Sequence, residues 1–227
     1  MHRDGLLSEG GTGLQEAMRD SRDGAAGKPS GPETLTDWLR ARFSGVIEPI
    51  ARRVARVGIG PNTISVLGFL LQVGVGLLFS GGRFRVGGLI LFFGAPLDAL
   101  DGAVARASQR DGRFGAFLDS TLDRISDAIL ILGLTAYQIR EGADVEVALL
   151  LTALVAAFMV SYTRARAESL GVSCKVGLLT RVERILLIAV LAALGLTTLL
   201  AWTLALLSAI TLFQRVVRVY TTCSEGD

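Results

Sequence analysis

Five aspartates stand in apolar stretches where a membrane helix would avoid them: Asp98, Asp101, Asp119, Asp123 and Asp127. On insertion scales such a residue costs about 2.5–3.5 kcal/mol at a helix centre and less near an interface, so each needs a compensating partner. Asp98 and Asp101 are spaced i, i+3 and Asp119 and Asp123 i, i+4, which puts each pair on one helix face. Two such helices facing each other would gather four carboxylates. Without an imidazole or thiolate this is a hard, all-oxygen site, the ligand set of Mg²⁺ or Mn²⁺ rather than zinc. Two divalent ions would neutralise the four charges, and paired ions suit phosphoryl displacement because they clamp the attacking and leaving oxygens. Gly102 and Gly115 would let a nucleotide approach the helix backbone, or serve only close helix packing. Asp127 is expected to pair with an arginine and stands outside the set.

The rest of the composition narrows the chemistry further. The single histidine, His2, lies in a polar N-terminal stretch, which removes Ser-His, Cys-His and multi-histidine metal sites from the body of the chain. Cys174 and Cys223 are too far apart in sequence to frame a disulfide scaffold or a zinc site. A net charge of +2 leaves no nucleic-acid footprint. Of the 23 basic residues 21 are arginine, so position rather than number has to carry any phosphate-binding argument.

The elements that must position these groups are membrane helices. With 227 residues, 51% hydrophobic, and a mean hydropathy of +0.51, the chain is too apolar for a soluble domain of its length. Apolar segments at about 62–80, 86–106, 114–139, 145–166, 182–196 and 199–219 predict an all-α integral membrane fold with six transmembrane helices. The last two are the least separated, because 30 residues from Ile185 to Gln214 carry no charge. At 1.5 Å per residue they would run roughly 45 Å, so either one long tilted helix or a tight hairpin near Gly195–Thr198 is required. Six spans put 19 Lys and Arg on one side of the membrane and three on the other. The positive-inside rule then makes both termini cytoplasmic in a multi-pass cell-membrane protein. Upstream, residues 34–57 alternate apolar and arginine positions in the pattern of a basic amphipathic interfacial helix, and residues 1–33 read as a disordered polar tail. Residues 58–222 form the expected membrane domain.

The acidic segment carries a family signature. Asp98-x2-Asp101-Gly102-x2-Ala105-Arg106, eight residues, then Gly115-x3-Asp119-x3-Asp123, resembles that of the CDP-alcohol phosphotransferase (CDP-alcohol phosphatidyltransferase) family at every fixed position over 26 residues. The resemblance implies six transmembrane helices, a cytoplasm-facing site, two Mg²⁺ or Mn²⁺ ions on the four aspartates, and a homodimer. It also implies displacement of CMP from a CDP-linked lipid such as CDP-diacylglycerol by an acceptor hydroxyl, with Asp123 as the base. Asn62 and Ser65 match the stretch that contacts the cytidine-diphosphate group, and Arg106 is a signature residue expected to support the nucleotide or the site.

Within the family, Ser161, Arg164, Arg166, Arg184 and Arg215 resemble the acceptor-phosphate positions of the phosphatidylinositol-phosphate synthase branch. Arg164 departs from the lysine common in the bacterial pattern. This predicts inositol phosphate as acceptor, with glycerol 3-phosphate as the alternative. Paired acids alone would equally suit a divalent-cation transporter; the full spacing favours the transferase.

Overall fold

The computed structural model describes residues 60–108, 112–174 and 176–224 and the isolated positions 45, 49, 53 and 56; the side chains of residues 61, 95–102 and 105–108 are not described. The expected tail at 1–33 lies outside these residues. So does the amphipathic helix at 34–57, apart from the four isolated positions, which are helical and exposed.

Among the described residues from 60 onward, six helices follow one another: α1 Pro61–Ser80, α2 Phe84–Ser108, α3 Arg113–Glu141, α4 Asp144–Ser169, α5 Arg181–Ala193 and α6 Thr197–Ser224. No strand occurs among the described residues. Pro61 opens α1, where its missing N–H costs nothing. The uncharged run resolves as a hairpin. Gly195 adopts φ 76°, its N–H bonds Ala192 O, and Leu196 N–H bonds Leu191 O. These two bonds close a Schellman turn that a side chain would strain. The same pairing ends α1 at Gly82, α3 at Gly142 and α4 at Gly171.

Among the described residues, three helices are long and apolar enough to cross a membrane, spanning Asn62–Ser80, Asp144–Ser169 and Thr197–Ser224. Many large apolar side chains point outward, including Leu77, Phe93 and Phe213 at 69%, 76% and 70% exposure. In water such a surface would aggregate, whereas hydrocarbon solvates it. The buried core is built by Leu130, Ile131 and Leu134 of α3, Ile188 and Ala192 of α5, and Leu200 and Leu204 of α6.

Glycines set the helix register. A Cβ on Gly133 would stand 2.3 Å from Gly76 O, so α1 and α3 cross backbone to backbone there. Nearer their N-termini, a Cβ on Gly115 would meet Asn62 Oδ1 at 3.1 Å. The two helices therefore run parallel, with Ser65 level with Asp119. Helix α2 runs antiparallel to α1, since Gly87 lies against Phe79 and Gly94 against Leu71. Continuing at equal rise places the backbone of Asp98 and Asp101 level with Ile64–Leu67. Gly88 fixes the other flank of α2, where a Cβ would come 2.3 Å from Ala193 N of α5.

Candidate functional site

Ser65, Phe69 and Gln72 fall on one face of α1 and Asp119, Leu122, Asp123 and Ser126 on one face of α3. With Arg181, the first residue of α5, they line a small, partly open cleft. Three of the residues expected from sequence, Ser65, Asp119 and Asp123, thus meet in one place. Asn62 and Gly115 lie together at its outer end. Asp98, Asp101, Gly102 and Arg106 stand on α2, with Asp98 and Asp101 at the level of this cleft; their side chains lie outside the described residues.

Among the described residues no three acidic, histidine or cysteine side chains cluster, because the α2 pair does not enter that set. The groups that are described fit a hydrated divalent cation. Asp119 and Asp123 supply hard oxygens, and the buried Gln72 Oε1 has no hydrogen-bond partner. A cation would offset this excess of acceptors.

Arg181 is a cleft residue that the sequence reading did not single out. Its Nη2 lies 2.9 Å from Asp123 Oδ1, with both side chains about a quarter exposed. The signal for it was Thr180-x2-Glu183, which marks a helix start. Thr180 Oγ1 donates to Glu183 Oε2, so Arg181 occupies the first turn of α5. Asp123 is the eleventh residue of α3, so α5 begins about 15 Å along that helix. Its 13 residues start inside the bundle, beside Asp123 of α3.

Three residues later on α5, Arg184 is 1% exposed and its Nη2 donates to Asp127 Oδ2. Asp127 therefore has the arginine partner expected of it. Arg184 Nε and Nη1 remain buried without a partner. Arg215 of α6 donates from Nε to Val176 O at 2.9 Å and from Nη1 to Val160 O at 2.6 Å. It thereby ties the end of α4, immediately before Ser161, to the loop leading into α5. Leu178 N–H to Gln214 Oε1 and Leu179 N–H to Thr211 Oγ1, at 3.2 and 2.9 Å, anchor the same loop to α6. Arg215 is thus tied to the loop that leads into α5, whose first turns carry Arg184, and to Val160 of α4, which precedes Ser161 and Arg164. Ser161 is half-buried. Arg164 is exposed and paired with Glu168 at 2.8 Å. Arg166 is exposed, with Ser169 Oγ 3.4 Å away.

Comparison with known proteins establishes the family. Residues 59–214 match the family model described as CDP-alcohol phosphatidyltransferase. The chain is 42% identical over 156 residues to an archaetidylinositol phosphate synthase of Methanothermobacter thermautotrophicus, covering 69% of this chain and 76% of that protein. It is 35% identical to a phosphatidylinositol phosphate synthase of Streptomyces avermitilis, covering 91% of each. The crystal structure of the Mycobacterium tuberculosis phosphatidylinositol phosphate synthase with CDP-DAG bound superposes with a TM-score of 0.71 at 35% identity, over 78% of this chain and 94% of that one. The same enzyme in complex with manganese and citrate gives a TM-score of 0.70 at 34% identity, over 78% and 90% of the two chains. The chain belongs to the CDP-alcohol phosphatidyltransferase family.

Proposed function

We propose that the protein transfers the phosphatidyl group of CDP-diacylglycerol, or of a related CDP-lipid, to a hydroxyl of inositol phosphate and releases CMP. The observation that carries the acceptor is the group formed by Arg164, Arg184 and Arg215. Arg184 has two buried guanidinium nitrogens unclaimed, and Arg215 ties the loop before it to the part of α4 that carries Ser161 and Arg164; an anion with several oxygens would satisfy such a group. Ser161 and Arg166 flank that group and complete the acceptor-phosphate site. The relatives named above are archaetidylinositol phosphate and phosphatidylinositol phosphate synthases, which favours this acceptor over glycerol 3-phosphate.

The cleft performs the transfer. Asn62, Ser65, Gly102, Arg106 and Gly115 receive the cytidine-diphosphate end, and the lipid tails stay in the bilayer. Two divalent cations, Mg²⁺ or Mn²⁺, held by Asp98, Asp101, Asp119 and Asp123 would supply neutralisation of the diphosphate and of charge in transfer. Asp123 takes the proton from the acceptor hydroxyl. The acceptor oxygen bonds to the phosphorus that carries the lipid as the bond from that phosphorus to the CMP oxygen breaks, and the electron pair leaves with CMP. Arg181 holds the Asp123 carboxylate in place at the boundary between carboxylate cleft and cationic group. Membership of a transferase family decides against the cation-transporter reading of the same acids.

All six helices cross the membrane in this reading, with both termini and the site on the cytoplasmic side and the enzyme a homodimer. The hairpin at Gly195 supports the count by returning the chain to the side where α5 began.

The deciding experiment incubates purified protein with CDP-diacylglycerol and Mg²⁺ and, separately, inositol phosphate, glycerol 3-phosphate, serine and free inositol. CMP release is expected with inositol phosphate. Release with glycerol 3-phosphate alone would overturn the acceptor.

A further inference from the structure

Gln72 is the one strongly polar side chain in α1 between Ser65 and Ser80, and the transfer described above does not use it. It is 4% exposed, its Oε1 is buried without a partner, and it lines the same cleft as Asp119 and Asp123. Leaving such an oxygen unsatisfied in a membrane interior costs about 1–3 kcal/mol, so its retention calls for a group that donates to it. The register of α1 on α3 puts Gln72 near Ser126, deeper than Asp123 by about a turn.

We infer that Gln72 is a positioning residue for the cation of the carboxylate cleft, its Oε1 accepting a hydrogen bond from a cation-bound water. The inference rests on the metal-binding reading of the aspartates. The cleft holds two carboxylates and a carboxamide oxygen against one guanidinium, and that guanidinium is engaged by Asp123. The hydroxyls of Ser65 and Ser126 also line the cleft, yet no donor reaches Gln72 Oε1, so an occupant of the cleft can supply the one it lacks. Mg²⁺ keeps several waters because it dehydrates reluctantly, and each coordinated water is a strengthened donor. A group one turn below the carboxylates is placed for that outer layer rather than for direct ligation. Outer-layer partners of this kind are worth about 10–100-fold in metal affinity.

The test measures Mn²⁺ binding to the full-length protein in lipid nanodiscs, without CDP-lipid, from the loss of the free-ion electron paramagnetic resonance signal. Gln72→Met keeps length and removes the oxygen. It should bind Mn²⁺ at least about 10-fold more weakly while the metal-free protein melts no lower than wild type, since an unsatisfied polar group has been removed. Gln72→Glu restores an acceptor and should bind Mn²⁺ at least as tightly as wild type. Wild-type affinity in Gln72→Met alongside weakened binding in Asp119→Asn overturns the role of Gln72 and leaves the aspartate site standing. Wild-type affinity in both variants overturns the aspartate site and this inference together. A metal-free Gln72→Met that melts lower than wild type, with Gln72→Glu failing to restore Mn²⁺ affinity, marks Gln72 as structural and also overturns the inference.

Discussion

At the residue scale the two arginines of the first turns of α5 do different work although they stand three residues apart. Arg181 lies a quarter exposed against Asp123, while Arg184 is sealed against Asp127. Breaking the sealed pair leaves a buried unpaired charge, so Asp127→Asn should lower stability by about 3–5 kcal/mol in a detergent melt. The double variant Asp127→Leu with Arg184→Met removes both charges and should recover most of that loss. It should still release no CMP, because the acceptor phosphate loses Arg184. Asp123→Asn is the converse case. It should fold and insert as wild type but show CMP formation reduced by at least about a hundredfold, the scale of a general-base contribution. Near wild-type turnover would remove Asp123 as the base. Asp119, Asp123 and Asp127 were legible in the sequence because charge inside an apolar helix is costly and therefore conspicuous. Gln72 and Arg181 were not, because a single amide in a span and an arginine near a helix end are individually unremarkable. Only the crossing of α1, α3 and α5 brings them into the cleft.

At the element scale the cleft depends on how closely helices approach. Helices α1 and α3 touch at Gly76 and Gly133, where a Cβ on Gly133 would lie 2.3 Å from a backbone oxygen. Gly133→Ala must push the helices apart, with a cost of about 1–3 kcal/mol typical of overpacking. Gly74→Ala, with nothing within 4 Å of its Cβ, should be neutral or slightly stabilising and serves as the control. Because the same crossing sets the spacing of Ser65 from Asp119, Gly133→Ala should also raise the KM for CDP-diacylglycerol; an unchanged KM would separate packing from site geometry. Helix α5 is the second hinge of the design. Its first turns carry Arg181 to the carboxylates and Arg184 to the cationic group, and the loop before it is held by Thr211, Gln214 and Arg215 of α6. The ends of α1, α3 and α4 were readable because Gly82, Gly142 and Gly171 close these helices with positive φ. The uncharged run from Ile185 to Gln214 was ambiguous because apolar periodicity is blind to a two-residue reversal.

At the scale of the whole molecule the near-neutral charge of +2 conceals a separation of anionic and cationic groups across the first turns of α5. That arrangement suits a cytoplasmic interface, where a nucleotide and a polar acceptor arrive from water while lipid tails remain in hydrocarbon. The proposed orientation has a direct check, because Cys223 is exposed and Cys174 buried. A membrane-impermeant maleimide should label Cys223 in inside-out vesicles and not in right-side-out ones; the reverse pattern would invert the topology. The sequence by itself determined the membrane character, the helix segments and the family, since these follow from composition and from spacing within single helices. The tertiary structure alone decided that α5 starts inside the bundle, that Arg181 meets Asp123, that Asp127 seals Arg184 and that Gln72 faces the carboxylates. Those are relations between helices, set by where glycines allow backbones to touch, and no spacing along one chain segment encodes them.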